Sequence, residues 1–184
     1  KIFIKDVGGI RDEENNIYDY SNYIAEVDLA KELASLLKDE RSSDGIKKYD
    51  SKEIEKIFTK IKKESHIEFS KEQEEAILMA FTEPIVIITG GPGTGKTTIV
   101  HAILKMYLRL NGDNSTLAES IALLAPTGRA AKRLKESTNM NASTIHKFLG
   151  YQGENYFEYS KNNKTSARLI IVDEASMMDL PLAS

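Results

Sequence analysis

A chain of 184 residues, 41% hydrophobic and 29% charged, has an ordinary globular composition, with room for one medium domain or a small domain beside part of a larger one. Its formal net charge of −3 argues against coating nucleic acid by bulk charge, although a local basic groove remains compatible with it. The lack of cysteine excludes disulfides and thiolate metal sites and fits an intracellular protein, and no apolar run approaches the ~20 residues that span a bilayer.

The chain opens on Lys rather than Met, without a signal peptide, and is expected to be a piece of a longer protein. Lys1 to about Tyr20 places apolar runs (Ile2, Phe3, Ile4; Ile17, Tyr18) around Gly8-Gly9, which predicts a β-hairpin. From Asn22 to Lys38 the residues Ile24, Val27, Ala30, Leu33, Ala34 and Leu37 fall on one helical face. Asp39 to Tyr49 is polar and reads as a loop. Asp50 or Ser51 then caps a second helix with Ile54, Ile57, Phe58 and Ile61 inward. The charged run Lys60–Ser65 reads as a boundary between an amino-terminal part, 1–65, and a second domain, 66–184. Ser70 starts a third helix with Ala76, Ile77, Ala80 and Phe81 on its inner face. Three apolar segments follow, Ile85–Ile88, Ile121–Ala125 and Leu169–Val172, each without alternation. That is the pattern of parallel strands covered on both faces, and the helical patterns between them give a βαβ order. The fold class expected is α/β, a P-loop parallel sheet preceded by a small α+β domain.

The run Gly90-Gly91-Pro92-Gly93-Thr94-Gly95-Lys96-Thr97-Thr98 fits G-x-x-x-x-G-K-S/T between an apolar segment and a helix. Glycines let such a loop wrap closely, so that backbone N–H groups and the helix N-terminus face a phosphate chain. Gly91 through Thr98 are therefore the expected nucleotide-binding residues. Lys96 would reach the β/γ-phosphates and the Thr97 hydroxyl would bind Mg²⁺. A turn that merely joined a strand to a helix would not need the Lys-Thr pair. Leu169–Val172 ends in Asp173 and Glu174. In P-loop ATPases an Asp there holds Mg²⁺ and a following Glu polarises the attacking water. A solvated acidic turn would look the same in isolation; the P-loop upstream favours the catalytic reading. The Asp-Glu pair favours an ATPase over a small-molecule kinase or a G protein, and no Asn-Lys-x-Asp segment is present to read guanine.

With both halves of a phosphate site in hand, the segments between them acquire a resemblance. Leu124–Leu134, reading Leu-Ala-Pro-Thr-Gly-Arg-Ala-Ala-Lys-Arg-Leu, resembles motif Ia of superfamily 1 helicases. Ser143–Leu149 resembles the Thr-Ile-His segment that follows it, and Val172–Asp179 is similar to motif II. Together they resemble the RecD-like branch, 5′-to-3′ DNA helicases related to the alpha subunit of exodeoxyribonuclease V. The resemblance covers about residues 66–184; the amino-terminal part, including Ile24-Ala25-Glu26, is similar to the region just before the motor.

The resemblance implies a first RecA-like domain, incomplete as given, that binds ATP and Mg²⁺ and acts on single-stranded DNA in repair and recombination. It further implies a cytoplasmic location and nuclease-complex subunits as partners; it leaves the oligomeric state open. Gln73 stands where such helicases read the adenine edge; locally it also completes a capping box, Ser70-x-x-Gln73, and both uses draw on one amide. Motif Ia residues meet the DNA backbone, here Pro126, Thr127, Gly128, Arg129 and Lys132. Arg129, Lys132 and Arg133 share one helical face, with Lys135 close by; a solvated basic face is the alternative. His146 matches a DNA-facing position, or is a buried capping histidine. The aromatic stretch Phe148, Tyr151, Tyr156, Phe157 and Tyr159 suits base stacking, or a small β-hairpin insertion near 150–166 of the kind such helicases carry. In the parent, hydrolysis would work a cleft against a second RecA-like domain that supplies an arginine finger. These 184 residues alone are expected to bind nucleotide and barely hydrolyse it. Another P-loop class, a clamp or protein-remodelling ATPase, is the competing reading; a partner-docking role for the amino-terminal part has no positive support, since its helix faces look like ordinary core.

Overall fold

The computed structural model describes residues 9–11, 17–37, 49–112, 115–153, 156–160 and 162–184. The expected strand residues Ile2–Ile4, Gly8 and the loop at 39–48 lie outside them. Two compact units are present, one formed by residues 1–44 with 176–184 and the other by 45–175.

In the first unit β1 (Gly9–Arg11) pairs antiparallel with β2 (Ile17–Asp19), and α1 (Tyr20–Leu37) follows directly. A short carboxy-terminal helix, Leu180–Ala183, packs on α1. The face that periodicity predicts for α1 is not the covered one. Ile24, Leu33 and Leu37 stay exposed, whereas Ala25 is buried and Leu29 and Leu36 are half-buried. Apolar residues occur on more than one side of this helix, so spacing alone cannot say which side a neighbour will cover.

The second unit holds the main core. α2 (Ser51–Ser65) starts at Asp50, whose Oδ1 accepts from the N–H groups of Lys52 and Glu53 at 2.9 and 3.2 Å. Its Ile54, Phe58 and Ile61 join Ile77 and Phe81 of α3 (Lys71–Thr82) and the long buried face of α4 (Lys96–Asn111) in one cluster. Thus α2, which the sequence groups with the amino-terminal part, packs into the unit that carries the phosphate loop. Ion pairs tie the three helices at their rims, Lys62 with Glu74 and Arg109 with Glu64. The Arg109 hydrogen bond holds the Glu64 carboxyl below its ordinary range.

The sheet has three parallel strands in the order β4 (Ala142–Thr144), β3 (Ile121–Ala125), β7 (Leu169–Val172). A short helix, α5 (Ser115–Ala118), precedes β3, and α6 (Gly128–Thr138) crosses from β3 to β4, burying Ala130, Ala131 and Leu134. After β4 a single-turn α7 (Ile145–Phe148) leads to the antiparallel pair β5 (Tyr151–Gly153) and β6 (Tyr156–Phe157). Of the three parallel strands the central one, β3, is buried along its whole length. The expectation of cover on both faces fails for the other two apolar segments: Ile170 of β7 is 51% exposed and Ile87 is 82% exposed. Nor does Ile85–Ile88 form a ladder among the described residues. An extended apolar run becomes a strand only when a neighbour takes its N–H and C=O groups. Here Ile88 packs against the core without that pairing.

Candidate functional site

The phosphate loop is built from inside. Lys96, the first residue of α4, folds back so that its Nζ donates to the carbonyls of Gly90 and Gly91 at 2.6 and 2.7 Å. Thr94 Oγ1 donates to Gly91 O at 2.9 Å and closes the loop on itself. Gly95 caps α4 in the left-handed region (φ 82°), and no side chain caps the helix. The first N–H groups of a 16-residue helix are thus left without a side-chain acceptor, an arrangement that favours an anion. Thr97 is exposed beside them.

Gln73 serves the cap and the loop together. Its Oε1 accepts from Ser70 N–H at 3.0 Å while Ser70 Oγ accepts from Gln73 N–H at 3.3 Å, which completes the capping box. Its Nε2 donates to Thr94 O at 3.0 Å. One amide therefore pins the start of α3 to the phosphate loop, and with two donors and two lone pairs it retains capacity for a further partner.

Gly95 is held in place by the same amide. A Cβ there would stand 2.5 Å from Gln73 Nε2, on a backbone already left-handed. Gly95→Ala is expected to lower the melting temperature by about 3–14 °C, from a left-handed penalty of about 1–2 kcal/mol and about 0.5–1.5 kcal/mol for the Gln73–Thr94 bond. A melting curve equal to the parent's would contradict this.

Asp173 and Glu174 follow β7 at the carboxyl edge of the sheet. Asp173 N–H donates to Leu124 O at 2.9 Å, which continues the β3–β7 register one step past the strand. Its Oδ1 accepts the N–H of Glu174 at 3.0 Å. Glu174 adopts φ 54°, a left-handed backbone costing roughly 1–2 kcal/mol for a side chain with a Cβ. Its carboxylate lies 3.3 Å from Arg133 Nη2 on α6. Among the described residues no hydrogen bond or ion pair joins the phosphate loop to either acid. Thr97 and Asp173 present hard oxygen donors. Mg²⁺ in such sites takes one or two protein ligands and completes its shell with phosphate oxygens and water, so the donor set fits that ion.

The turn after β3 carries the remaining predicted residues. Thr127 Oγ1 accepts from Ala130 N–H at 3.2 Å and caps α6, which leaves its hydroxyl proton free to donate outward. Pro126 is half-buried and Gly128 is exposed. A Cβ at Gly128 would meet nothing within 4 Å. Arg129, Lys132 and Arg133 are all exposed; Lys132 lies 3.9 Å from Glu136 on the same helix. His146 is exposed, which removes the buried-histidine alternative. Its ring lies 5.3 Å from Tyr151 and 6.1 Å from Phe157, whose own rings are 5.1 Å apart. Helical spacing singles out Arg133 as a cation; its partner 41 positions away leaves no local trace.

A family model described as AAA domain matches residues 73–184. The ATP-dependent RecD2 DNA helicase of Deinococcus radiodurans is 39% identical over 109 residues, 59% of this chain and 14% of that protein. The RecBCD enzyme subunit RecD of Haemophilus influenzae is 39% identical over 132 residues, 60% of this chain and 20% of its own. The subunit of the same name from Mycobacterium tuberculosis (strain H37Rv) is 34% identical over 127 residues, covering 60% and 22%. The chain therefore spans only between 14% and 22% of the length of these relatives.

Proposed function

Since this chain belongs to the AAA-domain family and is RecD-like across its phosphate loop and acidic strand end, we propose that it is the ATP-binding part of a 5′-to-3′ DNA helicase. Such a protein couples ATP hydrolysis to translocation along single-stranded DNA and to unwinding. The observation that carries the reading is the shared edge of the sheet. β3 and β7 run parallel and in register, so Asp173-Glu174 and the Pro126–Arg129 turn leave the same carboxyl edge. Ligands of open α/β sheets bind at that edge.

In this reading Lys96 and the α4 N-terminus bind the β- and γ-phosphates, and Gln73 takes the adenine edge with the donor capacity its cap leaves. Mg²⁺, held by Thr97 and Asp173, supplies charge neutralisation at the phosphates when bound. Glu174 accepts a proton from water as the water oxygen bonds to the γ-phosphorus; the bond to the β-phosphate oxygen breaks, giving ADP and phosphate. Pro126, Thr127, Gly128, Arg129, Lys132 and His146 face the strand. The fold makes no demand for glycine at 128, where open space lies before the backbone; a close-lying sugar-phosphate chain would. An arginine finger is worth about 10³–10⁵ in related phosphoryl transfers, so slow turnover is expected from these residues alone. In the cytoplasm the parent acts alone or with nuclease subunits, as the RecBCD name of the relatives suggests.

The test is salt-dependent binding of labelled single-stranded DNA. Arg129→Gln with Lys132→Gln is expected to flatten the slope of log affinity against log salt by about 0.7 for each phosphate that is no longer neutralised. An unchanged slope, or no binding by the parent chain at low salt, overturns the strand-binding assignment.

A further inference from the structure

We propose that the outer face of α2 is a second DNA surface, which holds the backbone of duplex DNA through Lys52, Lys56, Lys60 and Lys63. The proposal goes beyond strand binding on α6 and rests only on the reading that the chain handles DNA. Its observation is a row of cations. With Glu55 and Thr59 the four lysines line one shallow, open depression, and all six residues are exposed. They stand opposite Ile54, Phe58 and Ile61, the buried side of the same helix. α2 packs on α4, whereas α6 packs on β3 and β4, so the two basic faces are carried by separate elements.

A helix face built only for solvent interleaves opposite charges at i, i+4, and this one does the reverse. Lys52, Lys56 and Lys60 follow one another at that spacing and Lys63 comes three residues on, so each neighbouring pair repels. Among the described residues none of the four has an ion-pair partner. Lys62 and Glu64 of the same helix do, in Glu74 and Arg109. Four lysines against one glutamate leave a surplus of three positive charges here, on a chain whose net charge is −3. A polyanion laid on the row compensates that surplus and relieves its internal repulsion. The residue types choose the polyanion. Lysine is a point charge without the planar fork that reads a base edge, so it contacts phosphate irrespective of sequence. No aromatic ring is among the six residues to stack an unpaired base, which disfavours a single strand. Lys52 to Lys63 spans roughly 16 Å at about 1.5 Å per residue, a length over which duplex DNA presents about ten phosphates. The apolar side of α2 fixes the row on the core, so binding orders only the lysine side chains.

A salt titration of a short, labelled, blunt duplex by fluorescence anisotropy tests this, with oligothymidylate of the same length beside it. Lys56→Gln with Lys63→Gln is expected to flatten the slope of log duplex affinity against log salt by about 1.8, at about 0.9 for each phosphate no longer neutralised. Its single-strand affinity should stay near the parent's. Arg129→Gln with Lys132→Gln should show the converse and spare the duplex slope. Lys56→Arg with Lys63→Arg keeps the charge and should keep the slope; a loss there as well is structural and overturns the proposal. An unchanged slope in the glutamine variant overturns it, as does equal loss on both DNAs, which is general charge. No duplex binding by the parent chain at low salt removes this surface alone. Duplex binding without single-strand binding removes the α6 reading and supports this one. Phosphatidylserine vesicles that bind the parent but not the glutamine variant, with the duplex slope intact, would assign the face to an anionic membrane and overturn the proposal.

Discussion

Lys96→Ala is expected to weaken binding of Mg²⁺-ATP by about 10- to 100-fold, measured by titration calorimetry or a fluorescent ATP analogue. The ammonium group sits inside the loop on Gly90 O and Gly91 O, the place a phosphate chain would approach. A charge-assisted hydrogen bond contributes about 1.5–3 kcal/mol, and each 1.4 kcal/mol is tenfold in affinity. One term works against the full value, and a second is small. Nucleotide must first draw Lys96 off the two carbonyls, which lowers the net gain. The carbonyls it leaves belong to exposed glycines and return to water at little cost. The variant should melt with the parent, because Lys96 bonds only within its own loop. Unchanged affinity in a folded variant would remove Lys96 from the phosphate site.

Ile77→Ala is the largest expected loss of stability, about 2–5 kcal/mol, seen as a fall of about 4–20 °C in the melting temperature by circular dichroism. Ile77 is 0% exposed where α3 meets α2 and α4. Truncation leaves a cavity that three helices with interlocked faces cannot close. Ile87→Ala serves as the comparison. That side chain is 82% exposed, so its loss should fall within about 0.5 kcal/mol of the parent. Equal effects at the two positions would mean that Ile87 is covered in solution. Lys96→Ala and Ile77→Ala also separate the two sides of α4, whose first residue lies in the phosphate loop while its buried Ile99, Ile103 and Met106 share one core cluster with Ile77 of α3.

The candidate site was legible where its chemistry is written in consecutive residues. Gly90–Thr98 reads as a phosphate loop because glycines, a lysine and a hydroxyl in a row are what one loop would need to wrap one phosphate chain. The acid pair reads equally well, since a strand end delivers neighbouring side chains to one edge. Gln73 was legible as two competing uses; the structure shows the amide making the capping box while also bonding Thr94, because its oxygen and nitrogen point to different partners. The helices of the second unit were legible through their spacing: Ile54, Phe58 and Ile61 face inward as periodicity predicts.

By itself, then, the amino-acid sequence determined the α/β class, the phosphate loop, the acidic strand end and the RecD-like order of motifs. All of these rest on interactions within a few residues or on local periodicity. Tertiary structure alone decided that α2 joins the core of the phosphate-loop unit, that Ile85–Ile88 stays unpaired among the described residues, and that α1 covers Ala25 rather than Ile24. It alone decided that His146 is exposed against Tyr151 and Phe157. The pairing of Arg133 with Glu174 belongs with these. Each depends on which distant segment arrives at a surface, and a local pattern shows that a face is apolar or basic without showing what will meet it.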